Sequence, residues 1–343
     1  SDLTTRELFS CLARKSGLAE VKGIAWRNGK SVIVNPPRDL IQDIDLLPMP
    51  AFDMFPMEYY RLLRMPHCRS SDFVFPVLSG RGCPFRCNFC YRMDEGFRPR
   101  STEAIIEEIR RLQQKWGITY IAFSDELLMS SVGRTESLCK AFIKENLKIK
   151  WDCNGRLNYA RPDLLKLMYS AGCVFINYGI ESFDDQILKN MNKNLTTRQI
   201  VSGIEATLAA GISPGFNIIF GNIGENRRTL QQGVDFLLKY DDGAQMRTIR
   251  PVTPYPGCEL YYYAIEKNLL KDVEDFYENK HLNSDLLSVN FTELSDEEFY
   301  SALCDANKRL LVNYFEKRKK SLLTQTEDLY CARDASFRGF RHT

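Results

Sequence analysis

Hydrophobic and polar positions follow two alternating periods in the middle of the chain. From about residue 71 to residue 257, short runs of β-branched and aromatic residues are separated by longer stretches with the hydrophobic period of amphipathic helices. This pattern predicts six strands, at residues 73–79, 120–124, 149–154, 174–180, 215–220 and 245–252. Helices are predicted at about 102–116, 134–146, 162–171, 185–211 and 229–239, the fourth broken near Asn192 and Asn194.

Repeated βα units predict a parallel sheet, because each pair of successive strands is separated by a connection long enough to hold a helix. The sequence therefore predicts an α/β protein whose strands form either a barrel or an open parallel sheet. In a βα barrel, the active site is built at the carboxyl ends of the strands. Those strand ends are therefore the places to look for chemistry.

The flanks of this core have a different composition. Residues 1–70 are predicted to be a linker with one hairpin, in which Asn28-Gly29 forms the turn, followed by a Pro- and Met-rich extended passage. Residues 258–343 are predicted to be a helical extension, with helices at about 259–270 and 295–320 and a polar tail. The predicted domains are thus 1–70, 71–257 and 258–343.

Composition restricts the function classes. The 343 residues are 44% hydrophobic and 26% charged, with a formal net charge of +2, which is typical of a globular chain and not of a disordered one. Such a small net charge gives no reason to expect a nucleic-acid or membrane partner, and no apolar run is long enough to span a bilayer. A cytoplasmic location is the expectation.

Three of the eleven cysteines form a motif. Cys83, Cys87 and Cys90 have the spacing C-x3-C-x2-C and follow the first predicted strand, whereas the other eight are isolated and are interpreted as reduced packing residues. A structural zinc site is disfavoured, since it needs four ligands and neither a second cysteine pair nor a histidine pair is available. An iron–sulfur cube held by three cysteines leaves one iron with an open coordination position.

The motif resembles the signature of the radical S-adenosylmethionine (SAM) superfamily, with Phe89 in the aromatic position. The resemblance implies a partial (βα)6 TIM-like barrel in which Cys83, Cys87 and Cys90 hold a [4Fe–4S] cluster whose fourth iron binds SAM, with Phe89 and Tyr91 beside the cofactor. One electron would then cleave SAM to give a 5′-deoxyadenosyl radical, which takes hydrogen from a small-molecule or peptide substrate. The resemblance also implies a reductant such as flavodoxin or ferredoxin.

Polar residues follow the later strands where this superfamily binds SAM. Either Asp125 or Glu126 is expected to bind the SAM amino group, and Arg156 its carboxylate, although an acidic turn and a surface ion pair are the structural alternatives. The ribose is expected to contact Glu181 and Ser182. Gly221 is expected to approach the adenine, although a tight turn also explains a glycine there.

Three other functions are alternatives to a radical SAM enzyme that takes hydrogen from its substrate. The Pro-rich opening resembles the linker that follows a cobalamin-binding domain in many radical SAM proteins, so a longer parent is an alternative as a cobalamin-dependent methyltransferase or rearrangement enzyme; this chain itself is not expected to bind cobalamin. An iron–sulfur electron carrier or sensor is the alternative of another class, but it needs no SAM-binding residues. A methylthiotransferase predicts a second three-cysteine cluster and a basic RNA-binding domain, which the sequence lacks.

Overall fold

The computed structural model describes residues 2–62, 65, 67–68, 71–93 and 96–333. By its internal contacts the chain divides into two compact units, Ser1–Ala51 and Phe52–Thr343. The boundary predicted at residue 70 and the last ten residues of the predicted polar tail lie outside the described residues, so the predicted domain limits stay predictions.

The first unit contains a helix and a hairpin. The helix α1 (Asp2–Arg14), which the sequence analysis missed, has no buried residue. Strands β1 (Ala25–Asn28) and β2 (Ser31–Val34) pair antiparallel, with Asn28 opposite Ser31. The predicted turn at Asn28-Gly29 is therefore one residue too early, because Asn28 is part of the strand and Gly29-Lys30 connect the strands. Short 3₁₀ helices lie at Leu18–Glu20 and Ile44–Leu46.

The second unit is built on a six-stranded parallel sheet. It begins with a 3₁₀ helix (Phe52–Met54) and a one-turn helix, α2 (Met57–Tyr60). The strands, in chain order, are β3 (Val74–Val77), the hairpin strands β4 (Gly80–Gly82) and β5 (Phe97–Pro99), β6 (Tyr120–Phe123), β7 (Lys150–Gly155), β8 (Cys173–Glu181), β9 (Ser213–Phe220) and β10 (Arg250–Pro251). The sheet order is β10-β9-β8-β7-β6-β3, so each successive large βα unit adds a strand to the same edge. This confirms the predicted partial barrel.

Two features of the sheet differ from the prediction. The antiparallel pair β4–β5 was not predicted, since three-residue strands carry almost no periodic pattern. The sixth strand, predicted at 245–252, is only two residues long. Its predicted first half is irregular instead, because Arg247 forms ion pairs with Asp241 (2.6 Å) and Asp242 (3.0 Å) that hold this segment without a ladder of backbone bonds.

Helices cover one face of the sheet. They are α3 (Thr102–Trp116), α4 (Val132–Lys144), α5 (Pro162–Ser170), α6 (Asp185–Asn190), α7 (Thr197–Ala209) and α8 (Arg227–Tyr240), followed by α9 (Glu259–Glu266), α10 (Val273–Asp275), a π-helical turn (Phe276–Lys280) and α11 (Asp296–Tyr330). A 3₁₀ helix, Leu157–Tyr159, follows β7. Ser101 and Thr196 cap α3 and α7 through their side-chain oxygens, which serine and threonine commonly do at helix starts.

The two faces of the sheet differ in polarity. Between sheet and helices lies the main core, where Trp151 packs edge-on against Phe123 and Phe142 at 5.7 and 6.2 Å between ring centroids. On the opposite face, Asn177 donates a hydrogen bond to Asn154 Oδ1 at 3.1 Å. The interior of the barrel is therefore partly polar at mid-height. Among the described residues, no helix is both long and apolar enough to cross a membrane.

Candidate functional site

The three-cysteine loop lies at the carboxyl end of β3, between the hairpin strands β4 and β5. Gly82 starts the loop with φ +86°, and a β-carbon there would approach Gly96 O to 2.3 Å, so this entry requires glycine. Cys87 is buried, Cys83 is half-buried and Cys90 is exposed. One short loop therefore presents three thiols at the end of the barrel where enzymes of this architecture place their chemistry.

Asn88 fixes the loop to three later parts of the chain. Its backbone N–H donates to Met191 O at 3.0 Å, and its side-chain amide donates to Asn190 O at 3.0 Å. Its Oδ1 accepts from Asn222 Nδ2 at 3.2 Å, and its carbonyl accepts from Leu260 N at 2.9 Å. The position of Cys87 and Cys90 is thus set by a residue that the sequence analysis missed.

A hydrogen bond and burial shift the pKa values of the thiols. The hydrogen bond with Cys90 lowers the pKa of Cys87, with help from the positive charges of Lys193 and Arg156. The same hydrogen bond raises the pKa of Cys90, and burial raises that of Cys83. Because thiolates are the metal-binding form of cysteine, the shift at Cys87 is in the direction that favours a metal ligand.

The donor set has the chemistry of an iron–sulfur site. In the described part of the chain, no three His, Cys, Asp or Glu side chains are arranged to hold one metal ion. Soft thiolates are the usual ligands of an iron–sulfur cluster. Three thiols on one glycine-started loop suit such a group.

The two carboxylates after β6 have different surroundings. Asp125 is buried and accepts hydrogen bonds from Ser79 N at 3.0 Å and from Ser79 Oγ at 2.9 Å. Arg134 also donates to Ser79 Oγ at 2.9 Å and lies near Asp125. Glu126, in contrast, is exposed and close enough to Cys83 to raise the pKa of that thiol. Asp125 thus holds Ser79, which lies just before the hairpin that carries the cysteine loop. Glu126 is the solvent-exposed carboxylate near Cys83.

Arg156 follows β7 and is buried beside the loop. Its guanidinium carbon lies 3.6 Å from the ring centroid of Phe85, and Nε donates to Asn158 Oδ1 at 3.3 Å. Nη2 donates to the backbone oxygen of Lys193. The surface ion pair considered from the sequence is therefore wrong, because Arg156 is only 6% exposed and its hydrogen bonds go to uncharged oxygens.

Glu181 ends β8 at a β-bulge and has φ +69°, an uncommon conformation for this residue type. Its Oε1 accepts from Lys193 Nζ at 3.0 Å, and both side chains are nearly buried. A β-carbon on Gly179 would lie 2.3 Å from Glu181 Oε1 and 3.0 Å from Lys193 Nζ, so glycine lets this pair keep its present position. The sequence analysis missed Lys193, although the helix break predicted at Asn192 and Asn194 marks its position.

The remaining predicted residues lie at neighbouring strand ends. Ser182 is buried, and its hydroxyl makes no hydrogen bond of normal geometry with the described residues, although it lies close enough to Glu225 to lower that pKa. Gly221 has φ +104°, and its N–H donates to Glu225 Oε2 at 2.7 Å. A β-carbon at Gly221 would lie 2.9 Å from the Phe299 ring, so close packing and the turn both account for glycine at this position.

Glu225 leads to a prediction about pH. Burial raises the pKa of Glu225 to about 8, although N–H donors at Gly221 and Asn222 oppose this rise. Between pH ~4.5 and ~8 the unfolded chain releases this proton while the folded chain keeps it, so the free energy of unfolding falls as pH rises. Denaturant titrations of the cluster-free protein should show this fall in the wild type and a flatter profile in Glu225→Gln. Parallel profiles of the two proteins would contradict the protonated state of Glu225.

Phe89 and Tyr91 flank the last cysteine. Phe89 is half-buried and packs against the small hydrophobic core around α9. Tyr91 is 57% exposed and lies against Gly257, at the exit of β10. Tyr255 at the same exit packs edge-on against Phe276 and His281. Aromatic side chains thus form one side of the opening around the cysteine loop.

Comparison with known proteins agrees with this architecture. Residues 77–237 match the radical SAM superfamily. An uncharacterized methyltransferase of Pyrococcus horikoshii is 31% identical over 272 residues, which cover 78% of this chain and 57% of that protein. The bacteriochlorophyllide d C-12(1)-methyltransferase of Chlorobaculum tepidum is 26% identical over 265 residues, covering 73% and 57%.

A solved structure shares the fold. The radical S-adenosylmethionine methyltransferase TsrM of Kitasatospora setae, solved with cobalamin and a [4Fe–4S] cluster bound, has a TM-score of 0.64 at 16% identity, covering 77% of this chain and 54% of that one. The chain spans about half the length of the curated relatives that it matches.

Fold and loop together define a class, the parallel partial βα barrels with a C-x3-C-x2-C loop after the first strand. Within that class, the chain belongs to the radical SAM superfamily, whose enzymes use a [4Fe–4S] cluster and SAM.

Proposed function

We propose that this chain is the catalytic barrel of an enzyme that cleaves SAM reductively and uses the resulting radical to take hydrogen from its substrate. The observation that carries the proposal is the three-thiol loop, with Arg156, Lys193 and Glu181 buried beside it. Cys83, Cys87 and Cys90 hold the [4Fe–4S] cluster, which when bound supplies the electron that breaks the sulfonium bond. An electron carrier would need the thiols but not the polar groups at the other strand ends.

The chain's own residues bind and orient SAM in this proposal. Glu126 accepts hydrogen bonds from the amino group, since Asp125 is already bonded to Ser79. Arg156 keeps Nη1 for the carboxylate, because its Nε and Nη2 are used by Asn158 and Lys193. Glu181 keeps Oε2 for a ribose hydroxyl, Ser182 adds a donor, and the Gly221 backbone faces the adenine.

Methyl transfer with cobalamin is a second candidate. It is favoured by the relatives, two of which are called methyltransferases and extend well beyond the matched region. In this candidate, the cobalamin-binding part belongs to the longer protein, and the barrel described here supplies the SAM site. The substrate, a small molecule or a peptide, and the reductant, of the flavodoxin or ferredoxin type, are part of the proposal in both cases.

The decisive experiment is anaerobic reconstitution of the cluster, followed by incubation with dithionite and SAM and chromatography of the products. Formation of 5′-deoxyadenosine supports the proposal. An intact cluster without any SAM cleavage would favour the electron carrier. Formation of S-adenosylhomocysteine by a longer protein that carries the cobalamin-binding part, when cobalamin is added, would favour methyl transfer.

Arg156→Lys tests the assignment of the carboxylate site. Lysine keeps the charge, but its single amino group cannot bond Asn158 and the Lys193 carbonyl and also reach the carboxylate as Nη1 does. A charge-assisted hydrogen bond contributes about 1.5–3 kcal/mol. We expect the SAM dissociation constant to rise about tenfold or more by equilibrium dialysis, with iron content unchanged. Loss of iron at unchanged SAM affinity would instead make Arg156 a residue that only supports the loop.

A further inference from the structure

We infer that Lys193 is a positioning residue for the redox step, a buried cation beside the cluster ligand Cys87 that makes one-electron reduction of the bound cluster easier. The inference rests on the proposed function, since it concerns the same three-cysteine loop. The step adds one electron from an external donor, and no bond forms or breaks in it.

Several contacts hold Lys193 against the loop. Its Nζ is 3.0 Å from Glu181 Oε1 and 5.8 Å from the ring centroid of Phe89, the residue directly before Cys90. The neighbouring Asn192 donates a hydrogen bond to Arg86 O, directly before Cys87, at 2.7 Å. These contacts keep the ammonium group of Lys193 close to the cysteine loop.

The backbone around Lys193 is fixed in the same place. Asn192 and Asn194 on either side have φ values of +53° and +50°, a conformation that asparagine tolerates better than most residues. Lys193 N donates to Leu188 O at 2.9 Å, and its carbonyl accepts from Arg156. The two positive φ angles and the two backbone hydrogen bonds together hold Lys193 in its buried position.

The local charges do not cancel. Lys193 and Arg156 carry two positive charges and Glu181 carries one negative charge, which leaves one positive charge beside Cys87. The ammonium group of Lys193 lies 3.0 Å from the Glu181 carboxylate, which favours its charged form. Lys193 is 7% exposed, and water therefore screens this charge weakly.

Reduction makes a bound cluster one unit more negative. A fixed positive charge in a weakly screened site stabilises the more negative state, and charges and hydrogen bonds near the sulfurs are known to set cluster potentials. Lys193 should therefore raise the midpoint potential, whereas Glu181 should lower it. Lys193 and Glu181, which form an ion pair, therefore act on the midpoint potential in opposite directions.

The test measures the midpoint potential of the reconstituted cluster without SAM, by redox titration followed with electron paramagnetic resonance. Lys193→Met removes the charge at similar length, Lys193→Arg keeps it, and Glu181→Gln removes the opposing charge. Lys189→Met is the matched control, because Lys189 lies four residues earlier but is exposed. SAM affinity of each oxidised variant is measured separately by equilibrium dialysis.

We expect a lower potential in Lys193→Met, a higher one in Glu181→Gln, and values near wild type in Lys193→Arg and Lys189→Met. Unchanged potentials in both Lys193→Met and Glu181→Gln would overturn the inference. So would weaker SAM binding in Lys193→Met at an unchanged potential, which would make Lys193 a SAM ligand only. If Lys193→Met does not take up iron, the sign of the Glu181→Gln shift decides.

A failed inference and a failed function give different results. If the wild-type protein takes up no cluster, the proposed function itself is wrong. If it takes up a cluster whose midpoint potential does not change when the charge of Lys193 or Glu181 is removed, the function stands and only the role of Lys193 is rejected.

Discussion

Replacing Cys83, Cys87 or Cys90 singly by alanine is expected to remove the visible absorbance of the reconstituted cluster and all cleavage of SAM. Two thiolates cannot hold a four-iron cube that needs three protein ligands. Iron and sulfide analysis, the visible spectrum and 5′-deoxyadenosine formation measure the effect. Full loss is expected at each position, because no other cysteine lies on the loop.

Cys304→Ser and Cys331→Ser are the controls for this series. Both cysteines are exposed, and they lie in and directly after α11. Cluster content and SAM cleavage should stay at the wild-type level in both variants. A cluster that survives in Cys90→Ala but disappears in Cys304→Ser would mean that the ligands have been assigned wrongly.

Gly179→Ala should weaken SAM binding with little change in the fold. The added methyl group would lie 2.3 Å from Glu181 Oε1 and 3.0 Å from Lys193 Nζ, so the ends of these two side chains must shift from their present positions. Gly179 itself has ordinary φ, so no backbone strain accompanies the change. A rise of about tenfold or more in the SAM dissociation constant is expected, which corresponds to about 1.4 kcal/mol per factor of ten.

Gly133→Ala is the matched control for the glycine change. A β-carbon at Gly133, in α4, meets nothing within 4 Å, and alanine is the better helix former by about 1 kcal/mol. This variant should bind SAM like the wild type and unfold at a slightly higher temperature. Equal loss of affinity in both variants would mean that the close approach at Gly179 has no part in SAM binding.

The βα core could be predicted from the sequence because each unit has its own local signal. The hydrophobic period identifies a buried strand or helix without knowledge of its neighbours, and Ser101 and Thr196 mark helix starts by their residue type. The cysteine motif is also local, since its three cysteines fall within eight residues. The structure reproduces the βα units and both helix starts.

The missed residues depend on contacts between distant parts of the chain. Asn88 bonds Asn222, 134 residues later, and nothing next to either residue signals the pairing. In the sequence, Lys193 is simply a lysine in a predicted helix break. Its role depends on the ion pair with Glu181 at the end of β8, which no local pattern shows. The last strand was predicted too long for a similar reason, since Arg247 holds that segment by ion pairs that the hydrophobic pattern does not contain.

The wide spread of the contacts made by Asn88 has a consequence for biosynthesis. The cysteine loop is translated early, but Met191, Asn222 and Leu260, which fix it, leave the ribosome much later. Leu260 lies about 170 residues after Cys90 in the sequence. At a synthesis rate of ~5–20 residues per second, Leu260 is therefore added roughly 10–30 s after Cys90. During that interval the nascent chain carries three thiols that lack these contacts, and oxidation of these cysteines competes with completion of the barrel.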